Sequence, residues 1–261
     1  MIFNILTVFR ELIKPSLKYG VLSKAIKNKN IRVNLFSYSD YLDNNERIDD
    51  KQYGGDPGMV IRDHIASKAI KHIKKLNPDT KTIFLSPKGK KLDSTLVNDL
   101  SKYKNLSIIC GRYEGFDERT IEKHADIEIS IGDFIVSGGE TPAIILMDSI
   151  SRMIDGVIGK QESVKNDSLS NSLLKQPVYT RPANIKGKKV PRLLISGNHK
   201  KISKFNRDKS LLKTLKERED LLEEAVISPL ERERLKEIKA TTIKSSVYLA
   251  LVHHPIKNIK N

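Results

Sequence analysis

Tryptophan is absent from the 261 residues, and cysteine occurs once, at Cys110. A single thiol cannot close an internal disulfide, so the sequence reads as that of a cytoplasmic protein held together without covalent staples. No apolar run approaches the ~20 residues that a bilayer-spanning helix needs. The opening stretch Ile2–Phe9 has no basic lead and meets Arg10, unlike a signal peptide. Acidic residues are also in short supply, 32 against 47 Lys and Arg, for a net charge of +15. What is present, 38% hydrophobic and 30% charged residues, excludes both a membrane protein and a wholly disordered chain.

The positive excess is uneven. Residues 1–160 hold 25 basic and 21 acidic side chains, whereas 161–261 hold 22 and 11. Within the latter, 165–216 alone holds 14 basic and 2 acidic. A uniform compositional bias would spread evenly; clustering of this kind is the footprint of a polyanion contact, nucleic acid first.

The first part of the chain alternates short apolar strands with helical patterns. Strands are predicted at Ile2–Phe9, Ile31–Ser37, Thr82–Leu85, Leu106–Cys110 and Ile127–Ile131, with a brief one at Phe134–Val136. Helices are predicted from about Glu11 to Tyr19-Gly20, over Arg62–Leu76 with Ile65, Ala69, Ile73 and Leu76 on one face, over Ser94–Lys102, and over Ala143–Met153. Residues 40–59 are polar and aperiodic, as functional loops often are. The alternation argues an α/β domain over 1–159 with a mainly parallel sheet. Residues 160–176 read as a flexible linker, 177–240 as a small, mostly helical domain, and 241–261 as a tail.

Three strand ends carry turns rich in glycine: Ser86-Pro87-Lys88-Gly89, Gly111-Arg112-Tyr113-Glu114-Gly115, and Gly132–Gly139. Ligands of parallel sheets sit beyond the carboxyl ends of the strands, and glycine lets backbone come close to a ligand. One such turn is ordinary; three at equivalent ends imply a pocket walled by backbone. No Gly-x-Gly-x-x-Gly follows the first strand, and there is no phosphate-loop motif. Metal clusters are absent: His64 and His72 lack a third ligand, and His253-His254 lies in the tail. No Gly-x-Ser-x-Gly elbow supports a serine triad. The residues by themselves lead to a backbone-lined small-molecule pocket and a basic surface.

Eight ordered strings add more: Tyr53-Gly54-Gly55-x-Pro57-Gly58-Met59, Leu85-Ser86-Pro87, Gly111-Arg112-Tyr113-Glu114-Gly115-x-Asp117-Glu118-Arg119, Ser130-Ile131-Gly132-Asp133, Ser137-Gly138-Gly139-Glu140, Ser149-x-Ser151-Arg152, Tyr179-Thr180-Arg181-Pro182 and Ser196-Gly197-Asn198-His199. From Met1 to about Leu222 the chain closely resembles the bacterial tRNA (guanine-N1)-methyltransferases. The resemblance implies a SPOUT-type α/β fold with a deep trefoil knot, a homodimer with composite active sites, and tRNA as partner. It implies methyl transfer from S-adenosylmethionine to N1 of the guanosine just 3′ of the anticodon; a SPOUT methyltransferase acting on another RNA position is the alternative. Donor contacts fall on Phe84, Leu85, Ser86 and Pro87, on Gly111, Tyr113 and Gly115, and on Ser130, Ile131, Gly132, Phe134, Val136, Gly138, Gly139 and Pro142. Asp167 matches the family's general base, Arg152 its guanine-edge cation, and Glu114 a carboxylate near donor and base. Family members are linked to Mg²⁺, but no ligand cluster here fixes a site.

The sequence departs from the family at Phe134, usually Tyr, and at Arg10, where Pro is common. It also departs at Asn206, Glu217 and Glu219 in the helical region, where Lys200, Lys201, Lys204 and Lys209 supply compensating charge. Ser245–Val252 reads as a strand opening the remnant of an extra domain.

Overall fold

The computed structural model describes residues 1–159, 167–169 and 171–239. The expected tail at 241–261 lies outside them. The chain divides into two compact units, Met1–Val164 and Lys165–Asn261.

The first unit is built on five strands: β1 (Ile2–Thr7), β2 (Arg32–Ser37), β5 (Lys81–Lys91), β6 (Asn105–Cys110) and β7 (Ile127–Ser130). They form one sheet in the order β2-β1-β6-β5-β7, and every pairing is parallel. Both faces are covered, which is why these strands are apolar runs rather than alternating ones. On one face Phe3, Ile5, Ile83, Leu85 and Ile108 pack with Leu22 and Ala25 of α2 (Gly20–Lys27), Leu96, Val97 and Leu100 of α4 (Ser94–Ser101), and Leu146, Met147 and Ile150 of α6 (Glu140–Met153). On the other face Leu6, Phe84 and Ile109 meet Ile65, Ala69 and Ile73 of α3 (Asp63–Leu76). Between β1 and α2 lie α1 (Arg10–Ile13) and a 3-10 turn over Lys14–Lys18; α5 (Glu118–His124) precedes β7.

Several expectations are corrected. The helix expected from Glu11 to Gly20 is broken, because Pro15 tightens the chain into the 3-10 turn. Gly20, with φ +67, then begins a new helix instead of ending the old one. Leu76 does not share the buried face of α3 and is exposed. The polar stretch 40–59 contains strands, β3 (Asp49–Lys51) and β4 (Met59–Ile61), paired antiparallel. Phe134–Val136 forms no strand; its side chains are exposed.

β5 is longer than its apolar core. Leu85 and Lys90 both stand opposite Ile129, so Ser86–Gly89 bulges out of the strand before pairing resumes. At the point of return a Cβ on Gly89 would lie 2.4 Å from the backbone nitrogen of Ile129; only glycine fits there.

The second unit holds a short hairpin, β8 (Asn184–Ile185) with β9 (Lys188–Lys189). Its turn residues Lys186 and Gly187 both have positive φ, the geometry of a tight type I′ hairpin. The helices α7 (Arg192–Ile195), α8 (His199–Glu217) and α9 (Leu221–Glu224) follow, then helical residues 229–239 that we term α10. Asn198 caps α8 by accepting from the Lys201 N–H at 3.1 Å. Leu173, Leu211, Leu222, Ala225 and Leu235 form a small core. Leu173 lies in the stretch expected to be a flexible linker. It is buried, and the next residue, Leu174, donates its N–H to Thr214 Oγ1 at 2.9 Å. Burial against α8 and this bond tie 171–176 to the unit.

Candidate functional site

A cavity of about 480 Å³ opens at the bulge of β5 and the carboxyl ends of β6 and β7. All three glycine-rich turns wall it. The first contributes Phe84, Leu85, Ser86, Pro87 and Lys88; the second Gly111–Phe116; the third Ile129–Gly132 and Phe134–Gly139. Glu118 and Ile121 of α5 and Pro142 of α6 complete it. Every residue assigned to the donor from the sequence lines this one cavity, and Glu114 lies among them.

Each turn is held by its own short-range bonds. In the first, Ser86 Oγ accepts from the Lys88 N–H. In the third, Ser130 Oγ both donates to the Gly132 carbonyl and accepts from the Gly132 N–H. In the second, the Gly115 N–H reaches the Arg112 carbonyl at 3.0 Å, with Tyr113 in the left-handed region at φ +60. Glycine is seldom replaced there without strain, so a tyrosine marks a backbone fixed by its surroundings.

Those surroundings are visible. The hairpin β3–β4 runs beside the second turn: Glu114 N–H donates to the Met59 carbonyl at 2.9 Å and Ile61 N–H to the Gly115 carbonyl at 2.9 Å. Gly58, at φ +122, lies so close that a Cβ would meet Glu114 Cγ at 2.5 Å. The hairpin is anchored by Arg62, whose guanidinium is 2.8 Å from Asp50 and 3.8 Å from Glu46, and His64 also meets Glu46. The Lys51 N–H, and then the Arg62 charge, hold the Asp50 carboxyl below the usual range.

The third turn is joined to the second through backbone and side chain. Gly139 N–H donates to the Gly111 carbonyl at 2.8 Å, and Arg112 and Gly138 form an antiparallel bridge. A Cβ on Gly139 would stand 2.6 Å from Cys110 Cα. Beneath this contact Glu140, 2% exposed, accepts from Thr7 Oγ1 at 2.7 Å and from Arg112 Nε at 3.3 Å. Its second oxygen lies 3.2 Å from another Arg112 nitrogen. Arg112 also lies over the Phe9 ring, 4.6 Å from its centre. Burial, with Glu140 nearby, pushes the Cys110 thiol and the Tyr38 hydroxyl well up, so the lone thiol stays protonated and inert.

The other two candidates lie in different units. Arg152 sits in the last turn of α6, half-buried. Asp167 belongs to the second unit, half-buried, with Lys175 Nζ 3.5 Å from its carboxylate. Among the described residues no group of three or more His, Cys, Asp or Glu could hold a metal ion. His72 is engaged by the Tyr41 hydroxyl at 2.8 Å. No described helix is long and apolar enough to cross a membrane.

Sequence reasoning missed the load on Glu140. A glutamate beside two glycines carries no signal of burial; only Thr7, 133 residues away, and Arg112 reveal it. It also missed α5, whose single apolar residue within the turn-forming run, Ile121, gives no period, although Asp117 caps the helix through the Arg119 N–H at 3.0 Å.

Residues 1–224 match the family model described as tRNA (Guanine-1)-methyltransferase TrmD. A protein of Hahella chejuensis named tRNA (guanine-N(1)-)-methyltransferase is 43% identical over 239 residues, 91% of this chain and 93% of its own. One of the same name from Buchnera aphidicola subsp. Schizaphis graminum is 44% identical over 238 residues, 91% of each chain. Another from Fervidobacterium nodosum is 43% identical over 222 residues, 85% of this chain and 89% of its own.

Proposed function

Since this chain belongs to the tRNA (guanine-1)-methyltransferase family, we propose that it transfers the methyl group of S-adenosylmethionine to N1 of the guanosine immediately 3′ of the anticodon in tRNA. A methyltransferase of this family uses that donor, and the observation that carries the reading is the convergence of all three glycine-rich turns on one 480 Å³ cavity. Backbone walls of this kind suit the adenosine and amino-acid portions of the donor, because N–H and C=O groups at close range read polar edges without bulky side chains. Glu114 would place a carboxylate near the sulfonium, an attraction that is strong where water is excluded.

Guanine N1 carries a proton at neutral pH and is a poor nucleophile. As the methyl group leaves sulfur for N1, the N1 proton must go to a base, and negative charge gathers on O6. Asp167 is our assignment for the base and Arg152 for the cation at the guanine edge, on the strength of their match to the family motifs. The basic segment 165–216 would hold tRNA by its phosphates. Lys200, Lys201, Lys204 and Lys209 are exposed on α8, as are Arg181, Lys186, Lys188 and Lys189 around the hairpin. The same resemblance leads us to a trefoil-knotted SPOUT fold and a homodimer with composite active sites, and the lone Cys110 to a cytoplasmic location. To the α/β domain over 1–159 and the helical domain over 177–240, read from the pattern of elements, we assign donor binding and tRNA binding in turn. Mg²⁺ is left without a site among the described residues.

The test is methyl transfer to an unmodified tRNA transcript, followed by nucleoside identification. Formation of 1-methylguanosine next to the anticodon is the expected result. Methylation of a ribose, or of another position, would favour the alternative SPOUT reading.

A further inference from the structure

Glu140 is a buried carboxylate to which the proposed chemistry gives no role. Taking a charge out of water is costly unless it is paired and hydrogen-bonded, and this one is fully engaged. Thr7 Oγ1 donates to it at 2.7 Å, and Arg112 presents Nε at 3.3 Å and a terminal nitrogen at 3.2 Å. Such pairs add little net stability compared with apolar residues of similar volume. Stability alone is therefore a weak reason for a charge at this place, and its location offers a better one.

The pair stands where two walls of the cavity meet. Arg112 belongs to the second turn and lines the cavity; Glu140 is the first residue of α6, directly after the third turn. Gly138 rests on both: a Cβ there would lie 2.6 Å from Glu140 Oε2 and 2.7 Å from Arg112 Nε. Thr7 ties the pair to the end of β1, an interior strand of the sheet, and its hydroxyl also accepts at 3.0 Å from the N–H of Phe9, the residue whose ring Arg112 covers. A guanidinium fork and a carboxylate meet in a narrow range of geometries, so the pair fixes the spacing of the two turns more sharply than apolar contact would.

We propose that the Glu140–Arg112 pair is a positioning device that sets the separation of the second and third turns, and with it the affinity for the methyl donor. This rests on the reading of the cavity as the donor site.

The experiment is calorimetry of the full-length protein with S-adenosylmethionine and with its demethylated product, S-adenosylhomocysteine, alongside melting curves and steady-state kinetics. Glu140→Gln keeps size and the Thr7 bond but removes the charge. It should raise the Kd for both ligands about tenfold, equivalent to ~1.4 kcal/mol. The KM for the donor should rise in step, with kcat at saturating donor within about twofold of wild type. The double variant Arg112→Met with Glu140→Leu removes both charges. It should melt near the wild-type temperature and still bind the donor weakly, because fold and spacing are separable. A merely structural pair predicts the reverse: kcat falls with the active fraction, KM stays, and the double variant recovers donor affinity with stability. Wild-type affinity in Glu140→Gln or in the double variant overturns the proposal. Should Glu140→Gln fail to fold, the double variant decides alone. Absence of donor binding by the wild-type protein would instead refute the pocket reading.

Discussion

In the roles we propose for them, the two units solve recognition by opposite means. In the first, basic and acidic residues nearly balance, and the cavity is shaped by backbone turns that lie over a doubly covered parallel sheet. Its Glu140–Arg112 ion pair is internal. Among its described residues the second unit has a small core of five buried apolar side chains and sets out cations on exposed helix and hairpin surface. Packing preorganises the first; charge density arms the second. A small ligand with few charges needs fixed walls, whereas a polyanion needs many cations and little precision. Salt should therefore act on one unit's ligand and close packing on the other's.

The largest effect should come from chemistry itself. Asp167→Asn keeps the size of the side chain and removes its capacity to take a proton, so single-turnover methyl transfer should fall at least 100-fold, within the range for general bases. Donor and tRNA affinities should hold. A loss below tenfold, under ~1.4 kcal/mol, would assign the base elsewhere. Arg152→Ala should slow the same step less severely.

Next is Gly139→Val, which places a branched side chain where a Cβ already meets Cys110 Cα at 2.6 Å. Donor binding should weaken about 100-fold or more, ~2.7 kcal/mol, while tRNA binding persists. Undiminished donor affinity by calorimetry would dissolve the contrast between the units.

The third test uses salt. With about 3–6 phosphate contacts, log K for tRNA should fall against log salt with a slope near −3 to −5. Lys200, Lys201 and Lys204 changed together to Ala should weaken binding to all tRNAs alike and flatten that slope. Donor affinity should ignore both the salt and the substitutions. A filter-binding series in which the triple variant keeps the wild-type slope would make α8 a merely solvated face.

Acid should separate the units by the smallest margin. Glu231 accepts from Arg207 Nε at 2.9 Å and from the Ser228 N–H at 2.8 Å, a capping box at the start of α10. Arg207 and Ser228 pull its pKa down to about 2. The stabilisation is full above the ordinary carboxyl range and fades as pH drops towards about 2. In the first unit, burial, with Lys74 and Lys123 nearby, lowers the pKa of His124. Its neutral form is favoured by folding, so that unit weakens earlier, as pH falls below ~6.5. Thermal melts from pH 8 to 3 should show the first unit responding first. Glu231→Gln should lower the stability of the second by about 1 kcal/mol.

The sheet was legible because strands buried on both faces are continuous apolar runs, as in Ile83-Phe84-Leu85 and Ile108-Ile109-Cys110. The cavity was legible because Gly and Pro cluster where those runs end. Short helices were not: α7 and α9 span four residues each, too few for a period. The break at Pro15 was misread because Gly20, which often ends a helix, here begins one. The Glu140–Arg112–Thr7 contact joins residues far apart in the chain, and no local pattern reports such a meeting.

The bulge in β5 bears on how such a cavity changes over generations. Ser86–Gly89 leave the ladder at Leu85, and Lys90 returns opposite the same Ile129. A residue gained or lost inside the excursion would alter the cavity wall without moving the sheet, provided glycine keeps its place at the return. The same change at Ile83 or Phe84 would turn each following side chain to the opposite face and exchange the two cores. A change of length within this single strand thus reshapes the cavity wall at one place and overturns the packing of the sheet two residues away.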